Sequence, residues 1–391
     1  MRICIVYDCL YPHTVGGAER WYRALAERLA AEGHAVTYLT RRQWAEGEDP
    51  GVLGVDVIAV SPGGPLYSDD GRRTIGPPLR FGFGVLTHLL RNRRSYDAVH
   101  LCSFPYFSLL AARAALAGTG TPIGVDWFEV WTREYWRGYL GGIGGRIGAF
   151  VQRLCARLTP RAFVFSRAHG ERLRDEGLRG EPVRLAGLYA GPTEAPAIGR
   201  RQADKPLVVF AGRHIPEKRV HLIPAAVAAA SERIPGLRGL ILGDGPEHGH
   251  VLEAIRAAGV EDTVTAPGFV DAEDVSAAIG RATCMLLPSS REGYGLVVIE
   301  ASALGTPSVV VAGADNAAVE LVDEGINGFV APTGDAEDLA AAIVRAHEGG
   351  AALRASTADW FARNAERLSV ESSLERVVES YSRPRSDSTR S

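Results

Sequence analysis

The chain has 391 residues, which is too long for one ordinary hydrophobic core, so we expect two domains of nearly 200 residues each. Hydrophobic residues make up 46% of the chain and charged residues 23%, and this balance excludes wholesale disorder. The formal net charge is −3 and no long basic run is present, so no nucleic-acid partner is expected.

The cysteines and the N-terminal residues indicate the cellular compartment in which the protein is expected. Five cysteines form no C-x-x-C pair and leave an odd one over, which is typical of free thiols in a reducing compartment. The opening RICIVYD has the pattern of a strand and shows neither a charged leader nor a cleavage site. No stretch is long enough for a membrane span. We therefore expect a cytoplasmic protein, with peripheral contact to the inner face of the membrane as an open alternative.

In the first half of the chain, short apolar runs alternate with segments of helical spacing. The clearest helix starts at Ala18, where Trp21/Tyr22, Leu25 and Leu29 recur on one face. The apolar runs are ICIVY, AVTYLT, VDVIAV, AVHLCS, PIGVDW and AFVFS. This alternation is typical of βαβ units and a parallel sheet.

Residues 187–206 are rich in Gly, Pro, Ala and charge and interrupt the alternation, so they indicate a linker. The same rhythm then resumes with LVVFAG, GLILGDG, VTAPGFV, ATCMLLPS, PSVVVAG and NGFVAP. We predict an N-terminal domain over 1–190 and a C-terminal domain over 204–365. A helix over 366–382 is expected to pack back on the N-terminal domain, and the polar tail 383–391 is expected to be disordered. The ligand of two such doubly wound domains is expected at strand C-termini, in the cleft between them.

The first candidate site is Gly16-Gly17, between the strand ICIVYD and the helix that carries Glu19. A Gly-Gly turn lets the backbone approach a ligand closely, and a helix N-terminus attracts anions. The pattern is not G-x-G-x-x-G, so a nicotinamide site is weakly supported. An ordinary tight turn explains the pair equally well.

The second candidate is AGRHIPEKRV, residues 211–220, directly after the strand LVVF. Arg213 and Lys218 combine a planar guanidinium with a mobile ammonium, which suits a diphosphate that gains charge as it leaves. A solvated basic loop is the alternative. The position after a strand favours the binding site.

The third candidate is REGYGLVVIE, residues 291–300. A helix that starts near Gly295 offers free N–H groups to a phosphate. Glu300 then lies in the first turns and can accept from paired hydroxyls, whereas Glu292 precedes the turn and reaches another part of the same ligand. The alternative is one surface glutamate and one glutamate favoured by the helix dipole.

A family resemblance follows from these stretches taken together. GGAERW, AGRHIPEKRV, GDGPE, PGFV, PSSREGYGLVVIEASALGTPSVV and ADNAAVELVDEGINGFV occur in this order. They resemble the retaining glycosyltransferases of family 4, which have the GT-B fold of two Rossmann-like doubly wound domains facing a cleft. The resemblance runs from Met1 to about Tyr381, and the C-terminal half is the more specific.

The resemblance implies roles for the candidate residues. Glu300 would bind the ribose of a nucleotide sugar, Glu292 would contact the donor sugar, and Arg213 and Lys218 would grip the diphosphate. The backbone near GFV would receive the base. Arg213, Lys218 and Glu292 are the predicted catalytic residues. The full donor-binding set is Gly16, Gly17, Gly212, Arg213, Lys218, Gly243, Phe269, Val270, Glu292, Gly293, Tyr294, Gly295, Leu296 and Glu300.

One departure from the family concerns DWFEVW, residues 126–131. Relatives with a WHEVW-like stretch carry a histidine that contacts the donor sugar, and this chain has Phe128 at that position. Either the contact is absent, or Asp126 or Glu129 replaces it, or the alignment is shifted. The predicted acceptor-side residues are Asp126, Trp127, Phe128, Glu129 and Trp131.

Three further stretches leave alternatives open. The aromatic residues from Trp127 to Tyr139 either pack on a sugar or another apolar acceptor or form a core cluster. The stretch 145–158 has three arginines among apolar residues and favours a buried helix with a solvated basic edge over one resting on a membrane. The loop 61–82 is expected to hold acceptor specificity without a readable code.

The predicted function is transfer of a hexose from a nucleoside diphosphate sugar to an acceptor hydroxyl, with retention, in glycan, glycolipid or natural-product biosynthesis. A UDP-sugar is favoured and a GDP-sugar is the alternative. No cofactor and no essential metal are expected, because no Asp-x-Asp follows a strand in the cleft and Asp69-Asp70 lies in a Gly/Pro-rich loop. The alternatives are a nucleotide-sugar epimerase, a sugar phosphorylase, or a catalytically inactive nucleotide-sugar-binding protein. The sequence predicts no oligomeric state.

Overall fold

The computed structural model describes residues 1–64, 74–192 and 205–382, and these ranges divide into two compact units. The first unit comprises 1–190 together with the chain from Val370 onward, and the second comprises 191–369. Most of the predicted linker 187–206, the middle of the loop 61–82 with Asp69-Asp70, and the tail 383–391 lie outside the described residues.

The strands and helices alternate along the described chain. The strands are β1 (Arg2–Val6), β2 (Ala35–Arg41), β3 (Val55–Ser61), β4 (Ala98–Cys102), β5 (Ile123–Trp127), β6 (Arg161–Val164), β7 (Val183–Arg184), β8 (Leu207–Ala211), β9 (Arg238–Leu242), β10 (Val264–Gly268), β11 (Cys284–Leu287), β12 (Ser308–Val311) and β13 (Gly328–Ala331). The α-helices are α1 (Gly17–Ala31), α2 (Gly76–Arg91), α3 (Tyr106–Ala115), α4 (Arg133–Leu158), α5 (Arg167–Asp175), α6 (Ile223–Ser231), α7 (His248–Ala257), α8 (Ala272–Arg281), α9 (Leu296–Ala303), α10 (Ala336–Leu368) and α11 (Val370–Ser382).

The first unit is built on a parallel sheet in the order β3-β2-β1-β4-β5-β6-β7. Its central strands β4 and β5 are buried along their whole length, which explains their continuous apolar runs. Helix α1 buries the predicted stripe of Trp21, Tyr22, Leu25 and Leu29. Each apolar run noted in the first half of the chain forms a strand of this sheet. The two-residue β7 was not predicted, because two residues are too few to show a pattern.

Helix α11 belongs to the first unit, although it follows the second unit in the chain. The Val370 backbone N–H donates to the Tyr189 carbonyl at 2.9 Å, and the Ser373 hydroxyl donates to the Gly187 carbonyl at 2.7 Å. At the far end of the helix, the Tyr381 hydroxyl meets His100 Nδ1 in the core. The division between units falls at Val370, four residues after the boundary predicted at 366.

The second unit has a parallel sheet in the order β10-β9-β8-β11-β12-β13. Both sheets therefore share the doubly wound order in which the chain first winds outward to one edge and then returns to the middle. The order reverses between β8 and β11 in the second sheet, and between β1 and β4 in the first. Loops after the strands at such a reversal diverge and leave a crevice at the strand C-termini, which is where open α/β sheets bind ligands.

Candidate functional site

The loops that follow β8, β9 and β10 pack against one another in sheet order. The Gly212 N–H donates to the Leu242 carbonyl at 3.0 Å, and the Gly243 N–H donates to the Gly268 carbonyl at 3.0 Å. Gly243 has φ +120°, and a Cβ there would lie 1.9 Å from the Gly212 carbonyl oxygen. Only glycine satisfies both the backbone angle and this close approach. The glycines of the predicted donor set thus fix the backbone from which Arg213 projects.

Arg213 carries the positive charge of the loop after β8. It is exposed, whereas the next residue, His214, is fully buried and its N–H donates to the Asp244 carbonyl at 2.9 Å. Burial, and the neighbouring ring of His248, lower the pKa of His214 to about 4. The His214 ring is therefore neutral near pH 7 and adds no charge beside Arg213.

Lys218 lies at the end of the 3₁₀ turn Pro216–Lys218, and its ammonium donates to the Glu292 carboxylate. Arg219, which follows it, has φ +47°, a left-handed conformation that is uncommon outside glycine. Its Nε donates to the Pro288 carbonyl at 2.8 Å, which ties this turn to the end of β11. The strained residue is held in place by this contact, and Lys218 is thereby directed at the loop after β11.

A second ion pair runs beside the first. Arg291 Nη2 donates to Glu217 Oε1 at 3.0 Å, and the Ser290 N–H donates to the Glu217 carbonyl at 2.9 Å. Glu217 therefore pairs with Arg291, and Lys218 pairs with Glu292. The two ion pairs are adjacent, and the acidic partner lies on the loop after β8 in the first pair and on the loop after β11 in the second. The pairs join the loops after β8 and β11, which are the two loops at the reversal of strand order.

Glu292 is nearly buried and held on several sides. Its carboxylate also accepts from the Ser289 hydroxyl at 2.7 Å. Its N–H donates to the Asp315 carbonyl, and its carbonyl accepts from the Ala317 N–H, each at 3.0 Å. A carboxylate fixed in this way keeps one orientation, as the positioning of a bound ligand requires.

Helix α9 begins at Leu296, one residue after the position predicted from the sequence. Gly295 precedes it with φ +97°, and a Cβ there would lie 2.6 Å from the Ala318 Cβ, so glycine is required. No side chain caps the helix at Gly295. Glu300 is half-buried within α9, and Gly293 and the buried Tyr294 connect Glu292 to the helix start.

Phe269 and Val270 directly follow β10. Phe269 is 69% exposed, so its ring is available to a planar ligand.

Several residues of the site were not singled out from the sequence. They are Ser289, which holds Glu292; the Glu217–Arg291 pair; Arg219; and Asn316, whose Nδ2 donates to the Ser289 carbonyl at 3.2 Å. The sequence signal for the two ion pairs was the order of charges, which is acidic then basic in PEK (216–218) and basic then acidic in SRE (290–292). That signal becomes readable only once β8 and β11 are known to be neighbours.

In the first unit, Gly16 precedes α1 and Gly17 opens it. A Cβ on Gly16 would lie 2.3 Å from Glu19 Oε2, whereas a Cβ on Gly17 would meet nothing within 4 Å. The helix's own Glu19 therefore explains why position 16 is small. Gly17 leaves the helix start open, as the predicted approach of a ligand requires.

Asp126 corrects one expectation, since the sequence offered it as an acceptor-side residue and a substitute for the missing histidine. The side chain is fully buried; Trp21 Nε1 donates to its Oδ2 at 2.7 Å, and His100 Nε2 lies 3.0 Å from the same oxygen. His100 in turn meets Tyr381 of α11. Asp126 thus holds the interior of the first unit together with the C-terminal helix.

The aromatic stretch divides between core and surface. Trp127 and Trp136 are buried in the core cluster, which corrects the expectation that Trp127 faces an acceptor. Phe128 is half-buried and stacks on Phe165 with ring centroids 4.3 Å apart. Trp131 is half-buried and donates through Nε1 to Glu129 Oε2 at 2.8 Å. Of the five acceptor-side residues, Phe128, Glu129 and Trp131 therefore keep partial access to solvent.

The folds and loops above define a two-domain glycosyltransferase of the GT-B type. Two family models match the chain: "Glycosyl transferase 4-like domain" over residues 16–188 and "Glycosyl transferases group 1" over residues 193–366. The chain belongs to the family 4 glycosyltransferases.

Curated relatives show the same family at moderate identity. An alpha-D-kanosaminyltransferase of Streptomyces kanamyceticus is 32% identical over 51% of this chain and 54% of its own length. A lipopolysaccharide core biosynthesis glycosyltransferase of Rhizobium meliloti is 32% identical over 44% and 49%. The chain thus matches about half the length of these relatives. A glycogen synthase of Mycobacterium tuberculosis is 27% identical over 88% of this chain and 85% of its own length.

Solved structures share the fold across nearly the whole chain. Sucrose-phosphate synthase from Thermosynechococcus elongatus has a TM-score of 0.79 at 21% identity and covers 97% of this chain and 98% of its own. HepE of Anabaena, solved in complex with UDP, has a TM-score of 0.73 at 20% identity and covers 98% and 100%.

Proposed function

We propose that the protein transfers a hexose from a nucleoside diphosphate sugar, with a UDP-sugar favoured, to an acceptor hydroxyl with retention of the anomeric configuration. The observation that carries the proposal is the Lys218–Glu292 ion pair, which joins the two loops at the strand-order reversal of the second unit. In the proposed mechanism, Lys218 binds the leaving diphosphate and Glu292 binds the sugar being transferred, and their ion pair supports this division.

Each group has a role in this reaction. Arg213 and Lys218 stabilise the negative charge that grows on the leaving diphosphate, and the N–H groups at the start of α9 add to this stabilisation. Glu292 orients the donor sugar, and Glu300 accepts from the ribose hydroxyls. The leaving phosphate itself removes the proton of the acceptor hydroxyl on the same face of the sugar, so no protein nucleophile is needed.

The preference for UDP rests on similarity. HepE has been solved with UDP, with UDP and glucose, and with UDP-glucose, and it shares the fold of this chain. The exposed Phe269 after β10 offers a surface for the base of such a nucleotide. A thermal-shift panel of UDP-, GDP- and ADP-sugars tests this, since the nucleotide that binds best raises the melting temperature most.

A transfer assay separates the alternatives. Product formation that depends on an acceptor hydroxyl supports a transferase, whereas conversion of the donor without an acceptor indicates an epimerase. Dependence on inorganic phosphate indicates a phosphorylase. Donor binding with neither hydrolysis nor transfer indicates a protein that only binds the nucleotide sugar.

The proposed reaction needs no metal, because two cationic side chains take the charge that Mg²⁺ neutralises in other transferases. We therefore expect excess EDTA to leave the rate of transfer nearly unchanged. The measurement is the initial rate in protein stripped of metal, with and without added Mg²⁺ or Mn²⁺. A loss of transfer with EDTA that either ion restores contradicts this part of the mechanism.

A membrane-facing role rests on one exposed apolar face. None of the described helices combines the length and apolarity that a membrane crossing requires. Helix α4, however, exposes Ile143, Ile147, Phe150 and Leu154 at helical spacing, with exposed fractions of 78%, 58%, 67% and 37%. The expectation that the stretch 145–158 is a buried helix is therefore wrong for this face. Arg146, Arg153 and Arg157 line one edge of it, each three residues after a member of the stripe.

We expect this face to bind an anionic bilayer, such as the inner leaflet, because apolar side chains enter the interface while arginines meet the lipid phosphates. In a vesicle sedimentation assay, the wild type will pellet with phosphatidylglycerol vesicles more than with phosphatidylcholine vesicles. The double variant Ile147→Glu/Phe150→Glu will stay in the supernatant. Leu53→Glu is the matched control, because Leu53 is 84% exposed outside α4. If the double variant and the wild type pellet equally, the proposal that this face binds a membrane is wrong.

A further inference from the structure

Three side chains in the second unit form a group that the proposed reaction does not use. His221 lies in the 3₁₀ turn Val220–Leu222, Glu247 directly precedes α7, and His250 lies in the first turn of α7. One ligand atom from each lies within 4.8 Å of the other two. The rings of His221 and His250 stack with centroids 4.5 Å apart, and His250 Nδ1 lies 3.3 Å from Glu247 Oε2.

The ligand set has a definite chemical preference. Two imidazoles and one carboxylate suit Zn²⁺, Ni²⁺ and Co²⁺, whereas Mg²⁺ and Ca²⁺ prefer oxygen ligands alone. Three protein ligands leave the fourth tetrahedral position to water. With bonds of about 2.1 Å, tetrahedral ligand atoms stand about 3.4 Å apart, so the present spacing needs only modest side-chain rotation. His250 is about half exposed, which leaves its ring free to make that rotation.

Two separate elements supply the ligands, and this distinguishes the group from neighbouring residues of one helix turn. His221 comes from the segment that also carries Lys218, and the other two come from the start of α7. The adjacent His214–His248 pair, with Nδ1 atoms 3.1 Å apart, is a separate contact and does not belong to the set.

We propose that His221, Glu247 and His250 bind one divalent transition ion of the Zn²⁺ class. The ion ties the turn Val220–Leu222, which follows Lys218 in the chain, to the start of α7 and stabilises the second unit. It takes no part in sugar transfer, so its presence is compatible with a rate that does not depend on metal.

The test uses untagged protein stripped with EDTA and freed of the chelator. Titration calorimetry with ZnCl₂ will give one site per chain, and saturating Zn²⁺ will raise the melting temperature. His250→Ala and Glu247→Ala will each weaken Zn²⁺ binding at least about tenfold and abolish the thermal shift. His13→Ala is the matched control, since His13 is an exposed histidine of the first unit, and it will bind Zn²⁺ as the wild type does.

Co²⁺ provides an independent readout. Binding at this site will give visible bands of nitrogen and oxygen coordination without a thiolate charge-transfer band, because the cysteines at 4, 9, 102, 155 and 284 are all buried. Melting temperatures without metal show whether the variants are intact. The proposal is wrong if the wild type binds neither ion, or if His250→Ala and Glu247→Ala bind Zn²⁺ as tightly as the wild type does.

Discussion

Arg213→Ala and Lys218→Ala will each lower kcat for sugar transfer by about 100-fold or more, because each removes a charge-assisted contact that strengthens as the leaving diphosphate gains charge. Both residues project from the loop after β8, whose backbone is fixed by contacts to the loops after β9 and β11. The backbone positions from which the two side chains project are thus held in place. Steady-state kinetics at saturating donor measures the effect directly.

A double variant tests whether Lys218 and Glu292 act together. Because Lys218 donates to Glu292, removal of Lys218 also removes the contact that orients the Glu292 carboxylate. The double variant Lys218→Ala/Glu292→Ala will therefore lose less activity than the product of the two single losses. If the activity loss of the double variant equals the product of the two single losses, Lys218 and Glu292 act independently and not as the pair seen in the structure.

Matched controls are available in the same unit. Lys205 and Arg281 are exposed and lie outside the loops of the site, so Lys205→Ala and Arg281→Ala will leave kcat unchanged. If Arg213→Ala and Lys218→Ala both keep full activity, the diphosphate is bound elsewhere.

The alternation of apolar runs and helical segments was enough to predict two parallel α/β sheets, because buried parallel strands leave continuous apolar runs in the sequence. The loops that carry Arg213, Lys218 and Glu292 were also predictable, since each directly follows such a run. The pairing of Lys218 with Glu292 was not. It depends on β8 and β11 being neighbours, and strand order leaves no trace in a local pattern.

The acceptor-side residues were predicted less well from the sequence. Asp126 looked accessible because a carboxylate is rarely buried without partners, but its partners Trp21 and His100 lie far from it in sequence. Trp127 was ambiguous for a related reason, since a tryptophan serves equally well in a core or on a binding surface. Helix α4 was misjudged because composition gives the apolar content of a helix but not which of its faces is covered.

The final prediction separates the two glutamates of REGYGLVVIE by kinetics. Glu300 is half-buried in α9 and is proposed to hold the ribose, which is remote from the reacting bond and bound alike in the ground and transition states. Glu300→Ala will therefore raise KM with little change in kcat and will weaken binding of both the nucleotide sugar and the bare nucleoside diphosphate. Glu253→Ala, which changes an exposed glutamate of α7, is the control and will alter neither constant.

Glu292 will behave differently, because it is held by Lys218 and Ser289 and is proposed to bind the sugar whose ring changes charge and shape as the bond breaks. Glu292→Ala will lower kcat. It will leave binding of the bare diphosphate nearly intact, since it removes no contact to the phosphates and leaves Lys218 available to them. Isothermal titration with the bare diphosphate, beside steady-state kinetics on both variants, measures this division. If Glu292→Ala loses the bare diphosphate while Glu300→Ala retains it, the two glutamates hold the opposite ends of the ligand from those proposed.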